Sequence, residues 1–197
     1  MNVATKKLTA AEFLAMDFPD EELNRYELDD GEVVVESGPK PRHTNLQTVL
    51  TALFGLYQLR HPEYRPAVEP NLSLGEDVVR RPDLIVLLDP EQGGRCIEEE
   101  LSFSGPPLII VEVLSSKPWV DLLTKRELYA EVGIPEYWIL NPEDGEAAFL
   151  RLAGRVYERV SVLREGVYET ALLPGFRLDV AALFRRDLAA LAAALNP

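Results

Sequence analysis

The stretch Leu108–Leu114, with the sequence LIIVEVL, decides the fold because a single carboxylate interrupts an otherwise apolar run. A short apolar run of this kind is typical of a central strand that is buried on both faces. The run Pro82–Leu88 has the same character. After Leu108–Leu114 the pattern predicts a helix over Val120–Val132 and a further strand over Glu136–Leu140. The order strand, helix, strand predicts a βαβ unit within a mixed sheet.

Further elements are predicted on both sides of this unit. They are a short helix that opens at the Thr9–Glu12 capping box, a hairpin over Tyr26–Val35, a helix over His43–Leu59, a strand over Tyr64–Leu74, strands over Glu146–Leu152, Arg155–Leu163 and Val167–Leu172, the last two forming a meander, and a helix over Ala181–Ala194. Residues Asp89–Pro107 are polar and predict a surface excursion that exposes Cys96. The fold class is α/β or α+β, in one domain over residues 1–197 with an N-terminal helix and hairpin over 8–36 and a core over about 42–140.

The composition limits the classes of function. The chain has 197 residues and a net charge of −13, and a uniformly acidic surface would repel nucleic acid. The acidic residues are concentrated in segments 1–40, 76–100 and 131–150, while segments 41–75 and 151–197 are mildly basic, so we expect nucleic-acid binding that is weak and salt-sensitive. No P-loop and no glycine-rich dinucleotide motif is present, and two histidines with one cysteine cannot build a structural zinc site. We expect no membrane partner, and a single cysteine favours the cytoplasm.

Two carboxylates interrupt the predicted central strands. Strand alternation places Glu112 on one face with Ile110 and Leu114, where an ionised side chain is rarely buried unless it is paired or binds a metal. Two interpretations of Glu112 stay open. It forms a structural salt bridge or lies at a strand end that reaches water, or it is a metal ligand or catalytic acid. Asp83 stands at the start of the neighbouring run, where a turn or cap is the alternative. Together, the two acids predict a site for a hard divalent cation such as Mg²⁺.

Lys125 lies on the helix that follows Glu112, on one stripe with Leu128 and Val132. That stripe predicts a position near the sheet-facing side of the helix. The alternative is a simple ion pair between Asp121 and Lys125, one helical turn apart, worth about 0.3–0.5 kcal/mol.

Several ordered segments of the chain resemble the Uma2 family of restriction endonucleases and, through it, the PD-(D/E)xK nuclease superfamily. They are Tyr26-Glu27-Leu28 with Gly31–Val34, His43, Arg80–Val86, Val111–Ser115, Asp121-x-x-x-Lys125-x-x-x-Tyr129 and Gly133–Ile139. The resemblance covers roughly residues 8–180. It implies a restriction-endonuclease-like mixed sheet flanked by helices, and a metal-dependent endonuclease that hydrolyses DNA phosphodiester bonds with Mg²⁺ or Mn²⁺.

The resemblance also implies roles for individual residues. Asp83 and Glu112 would hold the metal, with the carbonyl of Val113 as a further ligand, and Lys125 would orient the attacking water or stabilise developing charge. Glu27 would be an added metal ligand or a water-orienting acid; the alternative is a capped residue of the hairpin among the many surface acids. The residues that would contact phosphate are His43, Arg80 and Arg81. The alternatives are that His43 is an ordinary residue at the start of its helix and that the two arginines solvate a strand end.

One position departs from the superfamily's strand motif. The motif lysine would stand at 114, where this sequence has Leu114. Lys125 on the following helix is the position that matches a migrated lysine, and Lys117 in the preceding loop is its rival. The departure and the acidity leave two alternatives open: a non-catalytic metal-binding or scaffold protein that retains the nuclease fold, and a hydrolase of small phosphoesters. A homodimer is expected, because double-strand cleavage needs two sites, with strands such as Val156–Val160 pairing the subunits.

Overall fold

The computed structural model describes residues 7–18, 24–36, 38–114 and 119–195, without the side chains of residues 119–121. The helices are α1 (Ala10–Leu14), α2 (Pro41–Gln58), α3 (Trp119–Val132), α4 (Val180–Arg185) and α5 (Leu188–Ala194), with a 3-10 turn at Pro90–Gln92. The strands are β1 (Arg25–Asp29), β2 (Glu32–Glu36), β3 (Tyr64–Val68), β4 (Leu72–Ser73), β5 (Val79–Arg80), β6 (Leu84–Leu88), β7 (Ile97–Glu98), β8 (Phe103–Ser104), β9 (Ile109–Val113), β10 (Glu136–Asn141), β11 (Glu146–Ala153), β12 (Val156–Leu163), β13 (Val167–Glu169) and β14 (Arg177–Asp179).

The central sheet has the strand order β12-β11-β10-β9-β6-β3. Strands β9 and β10 are parallel and α3 connects them, as predicted from the βαβ pattern, while the other neighbours are antiparallel. Alternate residues of β6 and β9 point to opposite faces, as strand geometry requires. Val86 and Val111 pack with the buried residues of α2, α4 and α5, whereas Ile85 and Ile110 pack with those of α3. Both faces are therefore covered, and the prediction of a mixed sheet flanked by helices is confirmed.

A second sheet lies beside the first, with the order β2-β1-β5-β4-β8-β7. It begins with the predicted hairpin, whose turn places Asp30 and Gly31 at positive φ, 47° and 73°. A Cβ at position 31 would lie 2.6 Å from the Cβ of Lys7, so this turn requires glycine for space as well as for φ. The chain leaves this sheet at Arg80, the last residue of β5, and enters β6 of the central sheet at Leu84. The connection between them therefore forms the seam between the two sheets.

Four local predictions are wrong. The run Tyr64–Leu74 is not one strand, because Glu69 adopts φ 47° and divides it into β3 of the central sheet and β4 of the second. The C-terminal helix is interrupted at Arg186, which also has a left-handed φ, and Asp187 caps α5. The strand predicted from Val167 ends at Glu169, and β13 pairs with β14 rather than continuing a meander from β12.

The fourth error concerns the segment between β6 and β9. Residues 89–107 contribute β7 and β8 to the second sheet, and Cys96 is buried in the core rather than exposed. Burial raises the pKa of its thiol to about 12, so Cys96 is protonated at neutral pH. Within the described part of the chain, none of the helices combines the length and apolar character that crossing a membrane would require.

Candidate active site

Three glutamates from three strands surround one lysine at the seam between the sheets. The Nζ atom of Lys125 lies 3.4 Å from Glu27 Oε1, 3.5 Å from Glu36 Oε1 and 3.6 Å from Glu112 Oε1. We call Glu27, Glu36 and Glu112 the carboxylate cluster. Glu27 and Glu36 belong to the N-terminal hairpin, whereas Glu112 and Lys125 belong to the βαβ unit. The cluster therefore joins the two sheets around one buried ammonium group.

Glu112 is positioned by the alternation of β9 and by α3. Its side chain lies on the face of the sheet that α3 covers, and it is only 8% exposed. The hydroxyl of Tyr129, which is fully buried, donates a hydrogen bond of 3.0 Å to Glu112 Oε1. Lys125 precedes Tyr129 by one helical turn, so α3 presents both side chains to the same carboxylate. Burial and then the charge of Glu112 hold the pKa of Tyr129 well above its usual range, which keeps this hydroxyl a donor.

Glu27 is a buried member of the cluster and not an exposed hairpin residue. Its Oε1 accepts a hydrogen bond of 2.9 Å from the backbone N–H of Arg81. Arg80 is also buried; its guanidinium donates to the carbonyl of Leu28 and pairs with Asp29. Because Arg80 is enclosed in this way, the structure does not present it to solvent as the predicted phosphate contact requires.

Asp83 lies in the connection between β5 and β6 and is 2% exposed. Its Oδ1 atom lies 2.8 Å from Arg25 Nη1 and 2.9 Å from His43 Nε2, and its Oδ2 accepts a hydrogen bond of 2.7 Å from the N–H of Val113. Burial opposes the charge of Asp83, but the hydrogen bond and charge of His43, the charge of Arg25 and the Val113 N–H outweigh it and lower the pKa. Asp83 is therefore held ionised.

Asp83 and Glu112, the two predicted metal carboxylates, stand opposite one another at adjacent strands but have different partners. Leu84 pairs with Val111 between β6 and β9, so one further residue along the ladder places Asp83 opposite Glu112. Asp83 contacts Arg25 and His43, whereas Glu112 contacts Tyr129 and Lys125. Val113, the predicted carbonyl ligand, links the two through its N–H.

A second group of polar residues that the sequence analysis missed surrounds Asp83. Arg25 bridges Asp83 and Glu69, and the side-chain amide of Gln47 donates to the carbonyl of Asp83 at 2.9 Å and to Glu69 Oε1 at 3.2 Å. The guanidinium of Arg81 also faces Glu69, at 3.5 Å. Arg25, Gln47 and Glu69 belong to no motif and lie far apart in sequence. The sequence features that bear on their burial are the alternation of β1, for Arg25, and the apolar face of α2, for Gln47.

Two residues of the sequence analysis fall outside this description. Lys117, the rival of Lys125, lies outside the described residues, as does the side chain of Asp121, the alternative partner of Lys125. Among the described residues, Lys125 contacts Glu27, Glu36 and Glu112.

Asp83 and Glu112 offer carboxylate oxygens of the kind that a hard divalent cation prefers. No group of three or more His, Cys, Asp or Glu side chains among the described residues is arranged to hold a metal ion. Magnesium, however, is commonly bound by one or two carboxylates together with water and substrate phosphate. Glu112 with a neighbouring carboxylate therefore supplies the donor chemistry that magnesium requires.

Comparison with known proteins identifies the class of this fold and then the family. The chain resembles a solved structure described as "a putative nuclease belonging to DUF820 from Anabaena variabilis ATCC 29413", with a TM-score of 0.72 and 21% identity, over 91% of this chain and 98% of that one. The two proteins share a fold. The sequence model of the Uma2 family, described as "Putative restriction endonuclease", matches residues 10–181. The chain belongs to the Uma2 family, and the predicted membership is confirmed. No curated protein matches the chain.

Proposed function

We propose that the protein is a divalent-cation-dependent endonuclease that hydrolyses DNA phosphodiester bonds, with Mg²⁺ or Mn²⁺ as its cofactor. The observation that carries the proposal is the position of Lys125, whose Nζ lies 3.6 Å from Oε1 of Glu112, the carboxylate that stands opposite Asp83 on the neighbouring strand. Membership of Uma2 supports the reaction class, because the family is described as a restriction endonuclease. Families of restriction-endonuclease type generally use a divalent metal.

Asp83 and Glu112 are the carboxylates proposed to hold the cation, with the carbonyl of Val113. The lowered pKa of Asp83 supports this role, since a metal ligand must be ionised. Tyr129 fixes one oxygen of Glu112 and thereby orients its carboxylate. When bound, the cation supplies Lewis-acid polarisation of a phosphoryl oxygen and lowers the pKa of a coordinated water.

Lys125 and Glu27 are proposed to act on the reacting groups. The ammonium of Lys125 would stabilise negative charge that develops on the phosphate or orient the attacking water. Glu27 would accept a hydrogen bond from that water, and the Arg81 N–H keeps its carboxylate in place. The half-exposed guanidinium of Arg81 is the better placed of the two neighbouring arginines to contact phosphate. His43 would act indirectly, because its Nε2 faces Asp83.

DNA is the proposed partner, bound weakly because of the net charge of −13. A homodimer is proposed because each active site cleaves one strand of a duplex. Strand β12 ends the central sheet and exposes Val156, Val160 and Val162, which supports pairing of two copies along this edge. We also propose a cytoplasmic location, since the single Cys96 forms no disulfide within the chain.

A non-catalytic scaffold that retains the fold is the second candidate. The observation that favours it is the saturation of the Asp83 carboxylate by Arg25, His43 and the Val113 N–H. On this view Asp83 is a structural anchor of the seam between the sheets.

A plasmid-nicking assay at low salt with Mg²⁺ or Mn²⁺ tests the proposal. The wild-type protein should nick supercoiled DNA, EDTA should stop the reaction, and Glu112→Gln should reduce the rate by about a hundredfold or more. Glu98→Gln is the matched control, because Glu98 is exposed and pairs with Arg65 away from the cluster. Equal nicking by the wild-type and Glu112→Gln proteins would exclude the assigned site, and a folded wild-type protein that never nicks DNA would favour the scaffold.

A further inference from the structure

We propose that Arg42 and Arg186 together hold a phosphate group of the DNA backbone beside the candidate active site. This inference rests on the proposed function, because it concerns how the protein binds its proposed partner. It adds a contact surface that His43, Arg80 and Arg81, the phosphate contacts expected from the sequence, do not include.

The first observation is a small cavity that is lined by two arginines. Arg42 of α2 and Arg186, which ends α4, line a cavity of about 260 Å³ with Leu46, Pro142 and Phe184. Both arginines are exposed, and they belong to the two mildly basic segments of a chain whose net charge is −13. Guanidinium groups match phosphate in shape and charge, because each can donate two parallel N–H bonds to it. The cavity therefore offers an acidic protein a place to hold a polyanion.

The cavity lies at the edge of the central sheet where Asp83 and Glu112 stand. Arg42 directly precedes His43, whose Nε2 lies 2.9 Å from Asp83 Oδ1. Pro142 directly follows β10, which is parallel to β9, so both strands end at this edge. Asp83 directly precedes β6, which is antiparallel to β9, and it therefore lies at the same edge. A DNA strand with a phosphate in the cavity would pass the candidate active site.

The backbone conformation of Arg186 supports a role for its side chain. Arg186 ends α4 at φ 61° and ψ 35°, and its N–H bonds to the carbonyls of Ala182 and Leu183. Glycine is the usual residue in this left-handed position, because it has no Cβ to cause strain. The end of α4 therefore requires this backbone conformation but not an arginine. Residues other than glycine that are held in such conformations are concentrated at functional sites, including ligand clamps.

Glu143 is the carboxylate that a phosphate would replace at Arg42. Its Oε2 lies 3.2 Å from Arg42 Nη1, and both side chains are 69% exposed. An exposed ion pair of this kind contributes little to stability, whereas a phosphate can accept two charge-assisted bonds from one guanidinium. Glu143 thus competes with DNA for Arg42, and neutralising Glu143 should strengthen DNA binding.

Fluorescence anisotropy of a labelled DNA duplex, in EDTA and at low salt, measures binding apart from cleavage. Arg42→Gln should weaken binding by about threefold to tenfold, and Glu143→Gln should strengthen it by about threefold. Arg65→Gln and Glu98→Gln are the matched controls. They change the net charge by the same amounts at an exposed ion pair, and Arg65 pairs with Leu87, towards the end of β6 that lies away from Asp83. Their affinities should stay within about 1.5-fold of the wild type.

Arg186→Gly separates DNA binding from stability. Glycine relieves the left-handed backbone, so the Tm of this variant should equal or exceed that of the wild-type protein. Its affinity for the duplex should nevertheless fall by about threefold to tenfold, as for Arg42→Gln. A lower Tm with unchanged affinity would show that Arg186 serves the fold alone, and would overturn the inference.

The outcomes separate this inference from the proposed function. Weaker binding by Arg42→Gln and Arg186→Gly, stronger binding by Glu143→Gln and unchanged controls support it. DNA binding by the wild type that Arg42→Gln and Arg186→Gly leave at the level of Arg65→Gln overturns the inference and leaves the nuclease proposal standing. Where binding in EDTA is too weak to measure, the KM for DNA in the nicking assay gives the same comparison. Failure of the wild type both to bind the duplex and to nick DNA overturns the proposed function and the inference with it.

Discussion

The hydrogen bond from Tyr129 to Glu112 gives a prediction whose size follows from the structure. Tyr129→Phe removes one hydroxyl and keeps the ring, which packs edge-on against Tyr137 at 5.2 Å. The lost bond is 3.0 Å long, fully buried and accepted by a carboxylate, and such charge-assisted bonds contribute about 1.5–3 kcal/mol. We therefore expect the free energy of unfolding to fall by about 2 kcal/mol. For a chain of this length, Tm should fall by about 4–8 °C.

Urea unfolding at pH 7, followed by circular dichroism, measures the change. Tyr157→Phe is the matched control, since it removes a buried hydroxyl that donates at 2.7 Å to a neutral acceptor, the carbonyl of Ile134. Its expected cost is about 1 kcal/mol. A double-mutant cycle with Glu112→Gln isolates the charge-assisted part, and we expect a coupling of about 1 kcal/mol between Tyr129 and Glu112. A coupling near zero would refute the claim that Tyr129 orients the Glu112 carboxylate.

Three further predictions concern the buried carboxylates. Asp83→Asn removes the carboxylate that the buried side chains of Arg25 and His43 contact, so the free energy of unfolding measured in urea should fall by about 3 kcal/mol, and a loss under about 1 kcal/mol would contradict the ion-pair assignment. Because the folded state lowers the pKa of Asp83, the stability that ionised Asp83 contributes is complete above the unfolded pKa of about 3.9 and is lost as pH falls through the lower folded pKa. In acid unfolding, the stability of Asp83→Asn should therefore fall less steeply with pH over this range than that of the wild-type protein. Glu136 is fully buried, accepts hydrogen bonds from Trp138, Tyr168 and Thr170, and pairs with Arg151. Glu136→Gln places an amide among these donors, so the free energy of unfolding should fall by about 3 kcal/mol; an unchanged denaturant midpoint would mean that the buried charge is dispensable.

The central part of the fold is predictable from the sequence because its apolar runs are unambiguous. Leu108–Leu114 and Pro82–Leu88 are too apolar for a surface, and a carboxylate within such a run marks a place where a charge must be compensated. Lys125 is predictable for a related reason. It shares a helical stripe with apolar residues, and its helix directly follows the strand that contains Glu112. The pairing of these elements is local in sequence.

The remaining site residues depend on contacts between the two sheets. Glu36 reaches Lys125 across 89 positions of sequence, and Arg25 reaches Asp83 across 58, so no local period relates them. The sequence also does not predict the break at Glu69 within Tyr64–Leu74 or the break at Arg186 in the C-terminal helix. A residue other than glycine with a left-handed backbone carries no strong sequence signal. Contacts with Arg25, Gln47 and Arg81 accompany the left-handed conformation of Glu69, whereas Arg186 caps α4 locally through its N–H bond to the carbonyl of Leu183.

The crystal structure of the protein with Mn²⁺, with the metal located by its anomalous scattering, tests the central claim most directly. We predict one Mn²⁺ with a carboxylate oxygen of Glu112 and one of Asp83 within about 2.5 Å. An anomalous map with no peak beside Glu112 and Asp83 at millimolar Mn²⁺ would contradict it.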